Sequence, residues 1–118
     1  MRDPSDSDDR KTLMLYKEKL AEMERLMDIT DKRTYTTMSI DKLERELRRV
    51  IEGIRKLPAK HLLSLDAVLS NLRRAQNELY VASDLLNSKG KSTERDSRSF
   101  YKCLNNFQEF LYEALQNF

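Results

Sequence analysis

The chain has 118 residues and a formal charge of +2, which suits one domain and excludes a strongly one-signed composition. Hydrophobic residues at 39% exclude a disordered chain, and charged residues at 36% with only two Gly and two Pro suit long helices with solvated outer faces. A single cysteine, Cys103, excludes an internal disulfide, and no apolar run is long enough for a membrane span.

Residues 1–8 read as a disordered acidic tail rather than a signal peptide. Ser5 and Ser7 stand among aspartates there, a context acidophilic kinases accept. The first helix is expected over about 9–28, because Leu13, Tyr16, Leu20, Met23 and Met27 recur at spacings of three and four and so share one face. Ile29 to Met38 reads as a loop, rich in threonines and a tyrosine that form helix poorly without packing support.

A second helix is expected over 39–57. Ser39 is its candidate cap, with Met38 and Leu43 placed to clasp across it as a hydrophobic staple. Ile40, Leu43, Leu47, Val50, Ile54 and Leu57 form its stripe, and Gly53 marks a place where another helix could come close. Asp41/Arg45, Glu44/Arg48 and Glu52/Lys56 are acid-first pairs four apart, the favourable orientation. Pro58 ends it.

The third helix is expected over 59–88, starting at Pro58 or at Ser64, with the stripe Leu65, Val68, Leu72, Ala75, Leu79, Ala82 and Leu86. Asn87 to Ser92 carries a stop signal in which Gly90 suits the left-handed position after a helix. The fourth is expected over 94–117, with Thr93 and Asp96 at capping-box spacing and the stripe Phe100, Leu104, Phe107, Leu111, Ala114 and Phe118. Its aromatics can fill space opposite the alanines of the third helix. Short connections between long amphipathic helices predict an all-α fold: an antiparallel up-down-up-down four-helix bundle with coiled-coil-like packing, spanning residues 9–118 as one domain.

Catalytic constellations are hard to build from these residues. His61 is the only histidine, and Leu62, Leu63 and Ser64 after it do not fit a phosphotransfer helix. Diiron bundles need two Glu-x-x-His pairs, and a zinc site would lack recognised spacing. Cys103 sits beside the core stripe of the fourth helix, where a buried inert thiol is expected. Gly53 and Gly90 stand alone, so no glycine loop cradles phosphate. No enzyme activity, cofactor, metal, small-molecule substrate or membrane partner is expected.

The basic residues are more informative. In an up-down bundle Lys32 and Arg33 come to the same end as Lys89, Lys91, Arg95 and Arg98, forming a positive pole that could meet an acidic protein, RNA or DNA. Arg45, Arg48, Arg49 and Lys56 on the second helix form a second candidate face. Met14, Leu15, Tyr80, Val81 and Tyr112 fall off the core stripes and could join into an apolar interface. The functional expectation is a soluble, intracellular (cytoplasmic or nuclear) interaction module of adaptor type that binds another protein or itself. The alternative is a small nucleic-acid-binding protein using the basic pole.

Overall fold

The computed structural model describes residues 4–87 and 94–118, with side chains at 8–87 and 99–118. The described residues are helical and contain no strand. Five helices follow one another: α1 (Pro4–Ile29), α2 (Thr37–Arg55), α3 (Ala59–Leu62), α4 (Asp66–Asn87) and α5 (Glu94–Gln116). A 3-10 turn over Lys32–Thr34 lies between α1 and α2.

The first helix begins earlier than the sequence suggests. Residues 4–8 belong to α1 and not to a disordered tail. A proline at the first helical position gives up no intrahelical hydrogen bond, and acidic sequence near a helix start is favoured by the helix dipole.

The cap of α2 is also displaced from the expected residue. Thr36, in an extended conformation, caps the helix by accepting a hydrogen bond from the Ser39 amide at 3.3 Å. Ser39 therefore lies inside the first turn. Met38 is exposed, so no staple joins it to Leu43. Tyr35 and Ile40 occupy the two staple positions around the true cap; Ile40 is in the buried core and Tyr35 packs partly buried against it.

The expected third helix is broken in two. Pro58 stands before the single turn of α3, and the long helix α4 starts only at Asp66. Ser64 is not a cap: its hydroxyl donates to the His61 carbonyl at 2.9 Å. The Leu65 amide is shared between the His61 and Leu62 carbonyls at 3.1 and 3.2 Å, which keeps the chain coiled through the break. Leu63 is exposed there.

Packing follows the stripes. The helix α4 lies against α2 on one side and α5 on the other, and α1 lies against α5 and, more lightly, α2. The cross-section of 24 × 21 Å is two helix diameters each way, as expected for four helices of about 10–12 Å side by side. Leu20, Met23 and Met27 of α1, Ile40, Leu47, Val50 and Ile54 of α2, and Val68, Leu72, Ala75, Leu79 and Ala82 of α4 are buried. From α5, Phe100, Leu104, Phe107, Leu111 and Ala114 join them. Leu13, Tyr16, Leu57, Leu86 and Phe118 are half-buried towards the ends of their stripes, and Leu43 is half-buried within its own. Ile51 and Cys103 are buried additions just off the ideal seam.

Candidate functional site

The basic pole is only partly visible. Lys89 and Lys91 lie outside the described residues, and Arg95 and Arg98 are placed in α5 by backbone alone. Arg33 is committed within its own turn: its Nη2 donates to Asp31 Oδ2 at 2.9 Å and its Nε to both carboxylate oxygens at 3.2 Å. The Arg33 side chain holds the Asp31 carboxyl below the usual carboxylate range. Lys32 donates from Nζ to Asn105 Oδ1 on α5. Asn105 stands eleven residues after Glu94, about 16 Å along the helix at 1.5 Å per residue. Lys32 therefore meets α5 about two turns beyond Arg98 and about three beyond Arg95.

All five candidate apolar interface residues are exposed: Met14, Leu15, Tyr80, Val81 and Tyr112. Leu15, Val81 and Tyr112 stand on α1, α4 and α5. Met14 belongs to a groove where α1 passes the start of α4 and the end of α5, lined by Arg10, Leu13, Met14, Lys17, Ser64, Leu65, Asn117 and Phe118. Its floor is apolar, and Arg10 and Lys17 are its charged groups. A second groove separates α1 from α2, with Met23, Leu26, Tyr35 and Leu43 at its base and Lys19, Glu22, Lys42 and Glu46 around it. Leu26 and Ile29 add further exposed apolar surface to α1, and their spacing outside the core stripe carried no signal that was recognised.

Tyr80 is a bridge as well as an exposed ring. Its hydroxyl donates to Glu44 Oε1 at 2.9 Å, and Gln76 Nε2 donates to the same oxygen at 3.2 Å. The bond to the Glu44 carboxylate is the main reason the Tyr80 phenol is pushed above its ordinary pKa. Arg48 reaches the other Glu44 oxygen at 3.8 Å. Glu44 thus ties α2 to α4, and Arg48 is the one residue of the second candidate face with a described ion-pair partner.

That face is wider than the second helix. Arg45, Arg48, Arg49 and Lys56 are exposed on α2, and Arg55 is exposed beside them. Arg73 lies one turn before Gln76 and two before Tyr80, so it shares their flank of α4. Arg73 and Arg74, both exposed, line a shallow depression with Asp66, Leu69 and Ser70. Sequence reasoning missed these arginines because only the packing of α4 on α2 shows which side of α4 adjoins the second helix.

His61 is partly buried at the junction between α3 and α4. Its Nε2 stands 3.2 Å from Asp9 Oδ2, with the two side chains only 20% and 17% exposed. The contact holds α3 against the early part of α1, at an ion-pair distance without hydrogen-bond alignment. Cys103 is buried, and that burial, aided by the nearby Glu78 side chain, pushes its thiol up to about 11. Such a thiol carries almost no thiolate at neutral pH and is a poor nucleophile. Among the described residues no three of His, Cys, Asp and Glu come together as metal ligands, and no helix is long and apolar enough to cross a membrane.

No protein-family model matches the chain, and no curated protein or solved structure does either. The functional reading therefore rests on the geometry of the surfaces themselves.

Proposed function

We propose that the chain is a non-enzymatic interaction module of adaptor type that binds another protein, a second copy of itself included, through the outer side of α1. The observation that carries this reading is the double-sided apolar character of α1. Leu20, Met23 and Met27 face the core, while Met14, Leu15, Leu26 and Ile29 are exposed at 62%, 64%, 48% and 74%. Four large apolar side chains on the outside of one helix exceed what solubility favours, and grooves on both sides of α1 offer room for a docking helix. The groove at Met14 has about 490 Å³, space for several side chains.

The same reading takes the four long helices as an antiparallel up-down-up-down bundle with coiled-coil-like crossing. Contacts along α1 support this. Asp9 meets His61, Tyr16 meets Gly53, and Tyr35 donates to Met27 Sδ at 3.0 Å, so α1 and the segment after it count in opposite directions. Against α5, Leu13 shares a groove with Phe118 while Asp28 accepts from Gln108 at 3.1 Å.

The test is affinity capture from the native source with and without nuclease, beside light scattering of the purified chain. Capture of a defined protein that survives nuclease, or a dimer, is expected for wild type. Met14→Asp with Leu15→Asp should abolish it with unchanged circular dichroism. A partner retained by that variant would remove α1 as the site.

A further inference from the structure

We propose that the flank formed by α2 and α4 binds the phosphate backbone of a nucleic-acid duplex without reading its base sequence. Six of the chain's twelve arginines are exposed on α2 and α4: Arg45, Arg48, Arg49, Arg55, Arg73 and Arg74. Lys56 joins them, against the acids Asp41, Glu44, Glu52, Asp66 and Asp84. Glu44 is already engaged by Tyr80, Gln76 and Arg48. Apart from Arg48, none of these cations has an ion pair or side-chain hydrogen bond among the described residues. An uncommitted guanidinium loses nothing internal when it meets a phosphate, and its planar fork matches phosphate oxygens two at a time.

The apolar map separates a nucleic acid from an acidic protein as the occupant. The exposed large hydrophobic side chains lie on α1, at Met38 and Leu63, near the far end of α4 and on α5. None lies between residues 41 and 57 or between 66 and 79, where the arginines are. A protein interface ordinarily has an apolar centre with aromatic anchors, whereas a nucleic-acid interface is polar and strongly positive. Tyr80 is the one exposed aromatic ring bordering the arginines among the described residues, and its hydroxyl is held by Glu44. A single tethered ring is no platform for stacking successive unpaired bases, which favours a duplex over a single strand.

The surface is continuous across two helices. Glu44 joins α2 to α4 at Gln76 and Tyr80. Arg48 is one turn from Glu44, and Arg73 is one turn from Gln76, so both border that link on the same outer flank. Arg45 and Arg49 are themselves one turn apart, giving a row of cations along α2.

The experiment is fluorescence anisotropy of the full chain with labelled DNA and RNA duplexes of about 20 base pairs at about 50 to 200 mM salt. Binding should weaken with salt, with a log–log slope of about −3 to −5. Arg45→Glu with Arg49→Glu, and separately Arg73→Glu with Arg74→Glu, should each lower affinity at least about ten-fold and flatten the slope by about two. The glutamine versions of both pairs should show the same ranking with smaller losses, which guards against a reversal that fails to fold. Two comparison reversals, Arg10→Glu with Lys17→Glu and Lys89→Glu with Lys91→Glu, should each cost less than either flank pair. The proposal is overturned by absence of binding at the lowest salt, or by a comparison pair that costs as much as the flank pairs. It is equally overturned if poly-glutamate displaces the labelled duplex as well as unlabelled duplex does, since the flank would then be a site for acidic protein.

Discussion

The ring of Tyr16 lies over the Cα of Gly53, so that a methyl group at residue 53 would overlap the phenol oxygen and Cζ and stand 3.0 Å from Cε2. This is the close approach that a lone glycine inside α2 permits. In a free helix, alanine at such a site gains about 1 kcal/mol over glycine. Here the clash opposes that gain. Gly53→Ala should destabilise the wild type by about 1–2 kcal/mol in urea unfolding, as small-to-large changes in packed sites do. In a Tyr16→Ala background the same substitution should become stabilising. Stabilisation of the wild type by Gly53→Ala would show that Tyr16 swings aside freely.

Leu72 is completely buried in the first half of α4, the helix that packs on α2 and α5. Leu72→Ala should cost about 2–5 kcal/mol if its site cannot collapse. Leu63→Ala, at the exposed break between α3 and α4, should stay within about 0.5 kcal/mol. Equal losses at the two positions would mean that the packed layer has been misplaced.

Cys103 gives a prediction with a pH sign. Its thiol is pushed up to about 11 from an ordinary value of 9.0, chiefly by burial. At pH 8 that leaves about a hundred-fold less thiolate than in the unfolded chain, so alkylation of the native protein should be slower by at least that factor. The neutral thiol is the form the fold prefers. Its contribution to stability is therefore intact below about pH 9 and is lost as pH rises through about 11. Cys103→Ala should remove that alkaline loss. Equal alkylation rates in the native and urea-unfolded protein would contradict the burial.

The Glu44–Tyr80 bond can be read by ultraviolet titration. Tyr80 is raised above its ordinary phenol range first by its bond to the Glu44 carboxylate. The difference spectrum between wild type and Tyr80→Phe should show a phenol ionising above about pH 10. In a Glu44→Gln background that transition should move down. An unchanged transition would mean that the two side chains do not meet in solution.

Much of the fold was legible in the helical stripes. Leu47, Val50, Leu72, Leu79, Leu104 and Phe107 fall at spacings of three and four, and the structure buries all six. Periodicity carries this information because an apolar face must find cover, whatever covers it. Gly53 was readable for a related reason: a glycine that weakens a helix interior has to be compensated by contact. The exposure of Met14, Leu15, Tyr80, Val81 and Tyr112 followed from the same stripes.

Other features needed the tertiary structure. Thr36 and Ser39 are both good capping residues, and only the path of the chain after the 3-10 turn decides that Thr36 caps α2. Pro58 and Ser64 were both possible starts for the third helix, and only the fold decides that a single turn follows Pro58 and that the long helix starts after a break at Leu63–Leu65. The candidate surfaces depended most on packing. Lys32 and Arg33 look like free cations in sequence, yet Asn105 and Asp31 engage them through contacts made by the folded loop. Arg48 and Arg73 are 25 residues apart in sequence, and Glu44 borders them on one flank by joining α2 to Gln76 and Tyr80 of α4. Local periodicity determines which side of a helix is dry. Which wet sides lie next to each other is set by how the helices assemble.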